Sequence, residues 1–493
     1  TRLDNSNLGT LSSQGAMALN VTGRLANHDQ GALISTTDMQ VRAGQLDNSE
    51  DGVVVASGSL ELQIGNDIDN RNGTLVASHD LKLQAAKLDN RDGDLSAGNT
   101  LQAKVSSQLD NRQGMLASSG LLDLEVGSLD NTSQGQLVSQ GDITLRADQL
   151  DNADGVLYAQ GNAVLRVQNQ LDNRGGVLLA DAGLTLNAGE LLNHQGTVQA
   201  TSGALVLGLD GSLDNTDGLL LAGDGLLEVN ADRISNQGGV ITSLKGMVSS
   251  VSRLFSNLTG VVQADDVTLQ VAETLNNDLG HIAAVNGNLQ VDTQRLSNMH
   301  GALFARELLS INAEQLNNND SLLELFTSMD STYSQQEWID FYRQMIQTNW
   351  DGFVADAIAQ GLEPFLGDTG VTRKQELLAL LDAIEQDPQA LQQGSLIHAK
   401  RINLDVDRLS QTVTSQILAE QQLAGTGQDW TNHGFMASDG TLDLHLTGHY
   451  GSYGTLASVG QLDLHAGSLG LELGNEDIGG ILGGSDVSVS VDG

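Results

Sequence analysis

Apolar and polar residues alternate along most of the chain in short runs, and a turn follows each run. In residues 70–90, for example, the apolar positions are Leu75, Ala77, Leu81, Leu83, Ala85 and Leu88. A period of two residues is typical of β-strands, because successive side chains point to opposite faces. The pattern therefore predicts two or three short strands in each stretch of about 21 residues.

The tripeptide Leu-Asp-Asn, or a close variant of it, marks each of these stretches. Its Asn recurs every 20 to 22 residues, at Asn5, Asn27, Asn48, Asn70, Asn90, Asn111, Asn131, Asn152, Asn173, Asn193, Asn215, Asn236, Asn257, Asn277, Asn298 and Asn318. A very short strand cannot pair within its own unit across tight turns, but it can pair with its counterpart one unit further on. The sequence therefore predicts an all-β solenoid, a parallel β-helix of about 21-residue coils.

The turn after the Asn has its own signature. Gly follows at the third position in eleven of the sixteen units and at the fourth in four more. Asn and Gly both tolerate a left-handed backbone, so we expect them to supply the turn geometry. Stacked Asn side chains can also form a hydrogen-bonded ladder. The residues that we assign to this ladder are Asn48, Asn90, Asn111, Asn152, Asn173 and Asn215.

The repeat is interrupted after Asn318, which lacks the Gly, and it resumes at Gly394. The 75 residues between them hold both prolines and eight of the fifteen aromatic residues of the chain. We therefore expect a β-helix over residues 1–318, a helical insertion over 319–393 and a continuation of the β-helix over 394–493.

Helical spacing supports this interpretation of the insertion. A capping box over residues 334–337 predicts the start of one helix, a second is expected from Thr372, and a third is expected near Phe353. After the capping box, apolar residues recur at Trp338, Phe341, Tyr342 and Met345. Such a stripe is usually the core of a small helical domain, but loops inserted in solenoids often carry binding. The candidate partner-binding residues are Trp338, Tyr342, Trp350 and Phe353.

The formal charge of −39 means that the surface would repel nucleic acid and anionic membranes, so we expect neither as a partner. Cys is absent, which excludes disulfides, thiolate catalysis and zinc–thiolate sites. No apolar run approaches the roughly 18 residues of a membrane span. The chain starts at Thr1 without a signal peptide, and we expect it to be a fragment of something longer.

A polysaccharide-degrading β-helix enzyme is the alternative function, since such enzymes place two or three carboxylates on one outer face. Here the acidic residues recur with the turns and basic residues are sparse, so we expect no enzymatic activity. His445 and His449 would lie about 13 Å apart on a strand and cannot share a metal. His465 could stack on His445 from the next coil, but we expect no metal and no cofactor.

The unit Leu-Asp-Asn-x-x-Gly-x-Leu-x-Ala, as in residues 88–97 and 150–159, resembles the haemagglutinin repeat of filamentous haemagglutinins and of contact-dependent growth inhibition exoproteins. The resemblance covers residues 1–318 and 394–493. It implies a right-handed β-helical filament, secreted by a Gram-negative bacterium through an outer-membrane two-partner transporter to the cell surface. It also implies adhesion to a protein or glycan receptor on host cells or neighbouring bacteria, and toxin delivery in the growth-inhibition branch.

Overall fold

The computed structural model describes residues 2–319, 334–359, 371–386, 394–471 and 480–492. Its strands pair in parallel and form a β-solenoid of about 21 turns with one helical insertion, as the sequence predicts. The chain falls into two compact units, Thr1–Ile234 with Ile241–Lys245 and Ser235–Val240 with Gly246–Gly493. This division does not fall at the predicted domain borders, after residues 318 and 393. Most residues of the insertion next to these borders are outside the described ranges, so the borders stay a prediction.

The strands are numbered in chain order. The first part of the chain contains β1 (Leu3–Asp4), β2 (Thr10–Ser13), β3 (Met17–Ala26), β4 (Ala32–Ser35), β5 (Met39–Asp47), β6 (Val53–Ala56), β7 (Leu60–Ile64), β8 (Asp67–Asp69), β9 (Thr74–Ala77), β10 (Leu81–Asp89), β11 (Asp94–Ala97), β12 (Leu101–Asp110), β13 (Met115–Ser118), β14 (Leu122–Asp130), β15 (Gln136–Ser139), β16 (Ile143–Asp151), β17 (Val156–Ala159), β18 (Ala163–Asp172), β19 (Val177–Ala180), β20 (Leu184–Leu192), β21 (Thr197–Ala200), β22 (Leu205–Leu209), β23 (Ser212–Asp214), β24 (Leu219–Ala222), β25 (Leu227–Ser235) and β26 (Val240–Ser243). The second part contains β27 (Gly246–Ser256), β28 (Val261–Ala264), β29 (Asp266–Asn276), β30 (His281–Ala284), β31 (Leu289–Ser297), β32 (Ala302–Asn318), β33 (Leu396–Gln411), β34 (Gln416–Gly427), β35 (Asp429–Asn432), β36 (Phe435–Ser438), β37 (Thr441–Leu446), β38 (His449–Ser452), β39 (Thr455–Ser458), β40 (Gln461–Ala466), β41 (Ser468–Leu471), β42 (Ile481–Gly483) and β43 (Asp486–Val491). The helices between β32 and β33 are α1 (Gln335–Thr348), α2 (Trp350–Ala359) and α3 (Val371–Gln386).

A typical coil of the first unit contains one short strand of four residues and one longer strand of nine or ten. In β9, Leu75 and Ala77 are buried while Thr74 and Val76 are half-buried, so alternate side chains point into the solenoid. β9 pairs with β11, and this register sets Leu75 beside Leu95 of the next coil. Equivalent residues thus stack in columns. A fully buried Leu stabilises its coil by roughly 1.5–3 kcal/mol, and the repeat supplies this in almost every coil.

The repeat Asn residues are buried and form a ladder of side-chain hydrogen bonds. Nδ2 of Asn48 donates to Oδ1 of Asn70 at 2.7 Å, and Nδ2 of Asn70 donates in turn to Oδ1 of Asn90 at 2.7 Å. In the first unit this bond joins Asn5, Asn27, Asn48, Asn70, Asn90, Asn111, Asn131, Asn152, Asn173, Asn193 and Asn215 in sequence. In the second unit it joins Asn236, Asn257, Asn277, Asn298 and Asn318.

The ladder amides from Asn5 to Asn298 also bond their own turns. Nδ2 of Asn70, for example, donates to the carbonyl oxygen of Gly73 at 3.1 Å as well as to Asn90. Its oxygen accepts from Asn48, so donors and acceptor are all satisfied within the buried column. An unsatisfied buried amide would cost about 1–3 kcal/mol, and the ladder avoids this in every coil that it joins.

In the second unit the solenoid continues in register across the helical insertion. β32 ends at Asn318 and β33 begins at Leu396, yet the two strands pair and set Asn318 beside Gln411. Nε2 of Gln411 donates to the carbonyl oxygens of Ser415 and Phe435 at 3.0 and 3.1 Å. The Gln411 amide thus donates within its turn as the ladder Asn residues do, but its buried Oε1 has no hydrogen-bond partner among the described residues.

Two aromatic side chains fill later coils of the second unit. Trp430 and Tyr450 are fully buried and pair in register in β35 and β38. Nε1 of Trp430 donates to the carbonyl oxygen of Val406 at 2.7 Å, and Oη of Tyr450 accepts from Nδ2 of Asn432 at 3.2 Å. Burial raises the pKa of Tyr450 to about 12, so the phenol stays neutral in the core.

The left-handed residue of the turn is not the one that the sequence suggests. In turns with Gly at the third position, its N–H donates to the Asn carbonyl, as from Gly73 to Asn70 at 2.9 Å. Positive φ falls on the residue before the Gly, for example 52° at Asn72 and 55° at Asp92. The expectation that the repeat Asn and the Gly after it supply left-handed backbone is therefore wrong for these turns.

The Gly is required for space instead. A Cβ atom on Gly73 would lie 2.1 Å from the backbone oxygen of Asn48 in the preceding coil. A Cβ on Gly155 would lie equally close, 2.1 Å, to the backbone oxygen of Asn131. Backbone atoms within a stacked sheet cannot move aside without breaking the pairing of the coil, so the Gly allows one turn to pack closely on the last.

This packing predicts the effect of adding one methyl group. We expect Gly155→Ala to destabilise the chain by about 2–3 kcal/mol, because overpacking against fixed backbone forces the coils apart. Gly65→Ala is the matched control, since the nearest atom to its new Cβ is 3.7 Å away. Urea unfolding followed by circular dichroism measures both. Equal stability of Gly155→Ala and the unmodified chain would contradict the close stacking.

Candidate functional site

The helical module, defined here as residues 334–359 and 371–386, begins at the predicted capping box. Oγ of Ser334 accepts from the N–H of Glu337 at 3.3 Å, and Oε2 of Glu337 accepts from the N–H of Ser334 at 2.7 Å. The N–H and the hydroxyl of Ser334 both donate to Oε2, and these two hydrogen bonds lower the pKa of Glu337. Its charged form therefore stabilises the start of α1 at neutral pH, and this contribution is lost as the pH falls through the lowered pKa.

The four candidate binding residues of the sequence come together in one aromatic cluster. Trp338 stacks on Tyr342 with ring centroids 6.1 Å apart, Tyr342 meets Phe353 edge-on at 6.1 Å, and Phe353 stacks on Trp350 at 5.6 Å. Tyr342 is only 8% exposed and Phe353 only 4%, while the two Trp rings are half-buried. Because a partner cannot reach buried rings, Tyr342 and Phe353 stabilise the module and do not present a surface.

The module does not stand clear of the solenoid. Its core includes Leu258 and Met299, which are 2% and 1% exposed, and Leu279 packs against the same cluster. These three residues belong to the turns after the repeat Asn in three successive coils. The module residues that pack with them are Ile339, Tyr342, Ile346, Phe353, Leu377, Leu380, Leu381 and Ile384.

We call Leu258, Leu279 and Met299 the apolar turns. They are visible in the sequence, but the period of the repeat alone does not reveal them. The residue directly after the repeat Asn is polar in earlier coils, for example Arg71 and Arg91, except for Ala153, and Leu279 lies one residue further on, at the position of Asn72. Leu279 also has a φ of 55°, in the left-handed region that a bulky side chain rarely adopts. The module packs against all three of these side chains.

The exposed aromatic of the module is Phe341, which the sequence placed in the stripe but not among the binding candidates. Phe341 is 46% exposed and meets the half-buried Trp338 edge-on at 5.7 Å between ring centroids. We call this pair the aromatic patch. A residue of a helical stripe can lie at its edge, and only the packing of the other helices decides which one does.

Acidic side chains of α1 and α3 surround Arg343. Arg343 of α1 pairs with Asp382 at 2.7 Å and with Glu385 at 2.6 Å, both on α3. The hydrogen bond from Arg343 lowers the pKa of Glu385. Asp340, one residue before Phe341, is also exposed. The ion pairs tie α1 to α3.

The first unit has an open groove of about 910 Å³ that bears on the enzyme alternative. Its charged lining residues are Lys104, Glu125, Arg146, Asp148, Arg166 and Asp210. Nζ of Lys104 lies 2.7 Å from Glu125, and Arg146 lies 3.8 Å from Asp123. Lys104 thus pairs with Glu125 of the next coil and Arg146 with Asp123 of the preceding coil, whereas glycoside hydrolysis needs two carboxylates with different roles at the same bond.

Histidine and carboxylate groups meet at two surface positions. Ligand-type atoms of His28, Asp29 and Glu50 lie within 4.8 Å of one another, and the hydrogen bond with Asp29 raises the pKa of Glu50. The rings of His445 and His465 stack at 4.3 Å between centroids, as their spacing predicts. Among the described helices, none has the length and hydropathy needed to cross a membrane.

The apolar turns generate a test of the docked module. We expect Leu258→Arg to leave the coil folded, since Arg occupies this turn position in other coils, but to release the module because a charge cannot be buried in its core. Limited proteolysis should then cut residues 334–386 at least several times faster. Ala153→Arg, at the same turn position in the first unit, is the matched control. An unchanged rate for Leu258→Arg would show that the turns do not hold the module.

Comparison with known proteins identifies the repeat. The family model described as haemagglutinin repeat matches residues 1–63, 55–125, 117–175, 165–215, 197–254 and 250–332. These segments overlap and together cover residues 1–332 of 493, about two thirds of the chain, and they end before α1. No curated protein and no solved structure matches the chain. Since the family model spans well over half of its length, the chain belongs to the haemagglutinin repeat family.

Proposed function

We propose that the chain is part of a secreted bacterial surface adhesin, in which the solenoid is the stalk and the helical module contacts a receptor on a host cell or a neighbouring bacterium. The observation that carries this proposal is the aromatic patch: an exposed Phe341 on a folded module that the stalk holds in place. The haemagglutinin repeats support the stalk.

Docking on the apolar turns supports a role in recognition. A module with its own core and fixed contacts to the solenoid is already ordered before it meets a partner. Binding then does not have to offset the entropy of ordering the module. Exposed aromatic side chains such as Phe341 supply much of the binding energy at protein interfaces, with half-buried neighbours such as Trp338 around them.

The charge of the module narrows the chemistry of the partner. Asp340, Asp382 and Glu385 lie on the exposed side of α1 and α3, and the whole chain carries −39. An acidic surface attracts and orients a basic partner and repels an acidic one. The receptor, whether protein or glycan, therefore has a basic or polar contact surface.

Composition supports export. A chain of 493 residues without Cys cannot form a disulfide that would block passage as an unfolded chain. We place its export at an outer-membrane two-partner transporter of a Gram-negative bacterium. Adhesion and delivery of a toxin to a neighbouring cell both begin with the same receptor contact, and the test of that contact is the same for both.

Deletion of residues 320–393 tests where the contact lies. Oγ of Ser395 donates to the carbonyl oxygen of Asn319 at 2.5 Å, so the two ends are close enough to join. The deletion also carries Leu258→Ser, Leu279→Asn and Met299→Ser, so that the uncovered turns do not cause aggregation. We expect the β-rich circular dichroism spectrum to remain and binding to cells to be lost.

A point variant of the aromatic patch makes the test sharper. We expect Phe341→Ser to weaken binding of the labelled chain to cells at least tenfold, as removal of a central aromatic usually does. Phe435→Ser is the matched control, because Phe435 is 42% exposed on the solenoid, close to the 46% of Phe341. Full binding by the deletion variant, or equal loss in both Phe variants, would move the contact away from the module.

A further inference from the structure

The outward faces of the two strand types in the first unit differ sharply in polarity. The short strands β2, β4, β6, β9, β11, β13, β15, β17, β19, β21 and β24 stack in register, and their outward residues form what we call the short-strand face. In β17, β19 and β24 both outward residues are large and mainly apolar, and these residues are Val156, Tyr158, Val177, Leu179, Leu219 and Leu221. The outward residues of the long strands in the same coils include Arg146, Arg166 and Asn187.

The short-strand face is almost free of charge. Among the two outward positions in each of its eleven strands, only Asp94 carries a charged side chain, although 17% of the whole chain is charged. Its apolar side chains are half-buried by their neighbours in the adjacent coils. Polar residues such as Thr197 and Gln199 interrupt the apolar surface, but a monomeric soluble protein rarely exposes a large apolar surface, and large ones usually mark an interaction site.

We infer that the short-strand face binds the same face of a second copy of the chain, so that two solenoids associate side by side. This goes beyond receptor binding and does not depend on it. The face carries a single charged residue, Asp94, and a second copy presents the same apolar columns with the same spacing. Two such sheets pack about 10 Å apart with interdigitated side chains, as in a β-sandwich.

The size of the face fits such a pair. Four residues span about 13 Å across the strands, and eleven coils span about 50 Å along the solenoid. The product is about 650 Å² of projected area per copy, close to the roughly 800 Å² that a standard interface buries on each partner. An interface that covers only part of the face would be too small to hold two chains of this charge together.

Because of the net charge of the chain, formation of the pair depends on ionic strength. Each copy carries −39, and the copies repel each other at low ionic strength. Carboxylates such as Asp181, which accepts from Oη of Tyr158 at 2.7 Å, lie at the rim of the face. Added salt screens this repulsion and leaves the apolar contact intact. The pair therefore becomes tighter as salt is raised, opposite to an association held by ion pairs.

An isosteric pair of variants tests the inference on the full chain by sedimentation equilibrium at about 0.1 M and about 1 M salt. Gln199 lies on the short-strand face between Leu179 and Leu221, whereas Asn187 is exposed on the long-strand face of the preceding coil. Gln199→Glu and Asn187→Asp each add one negative charge without a change of shape. We expect a dimer at high salt that Gln199→Glu weakens roughly tenfold or more and that Asn187→Asp leaves unchanged.

Leu179→Glu, checked for folding by circular dichroism, should weaken the dimer further. A chain that remains monomeric at high salt would overturn the inference. So would a dimer that both charge variants weaken equally, or one that neither variant affects, because the contact would then lie outside the short-strand face.

Discussion

Parallel stacking of like on like is the constraint on which the structure depends. Each coil pairs with the next in register, so the neighbour of every residue is its own equivalent one repeat later, as Leu75 is beside Leu95. An apolar residue then packs on another apolar residue. A buried Asn likewise lies beside the next Asn, and Nδ2 of Asn152 donates to Oδ1 of Asn173 at 2.8 Å as well as to the carbonyl oxygen of Gly155 in its own turn. A buried polar group in one coil therefore requires a polar partner at the same position in the next coil.

The same constraint explains how much the sequence reveals. Because each coil must repeat the last, the period, the Asn ladder and the resumption of the solenoid at Leu396 are all visible as recurring letters. Turn geometry is less visible: the left-handed residue is Asn72 or Asp92, a position where many residue types occur. The packing of the module is least visible. A helical stripe shows which residues are apolar but not what they pack against, so burial of Tyr342 and Phe353 and docking on Leu258 could not be derived from it.

Outward positions are free of this constraint, and departures from the repeat are where specific function can develop. The ladder and the inward columns fix the path of the chain whatever the outer side chains are. Arg at the turn position of Arg71 and Leu at that of Leu258 are both compatible with the coil, but only the second can hold the helical module. In the same way, the short strands of the first unit keep their inward Leu column while their outer face is nearly free of charge.

The Asn ladder is the most direct place to test this dependence, with a double-mutant cycle on Asn152 and Asn173 measured by urea unfolding. Either Asn→Ala change removes the Nδ2–Oδ1 bond between them. The free energy of unfolding lost in the double variant should therefore be smaller than the sum of the two single losses, by about 1 kcal/mol or more. Asn90 and Asn173 do not bond each other, since three ladder residues separate them, and their effects should add to within about 0.5 kcal/mol. Additive effects for Asn152 and Asn173 would contradict the claim that the ladder couples one coil to the next.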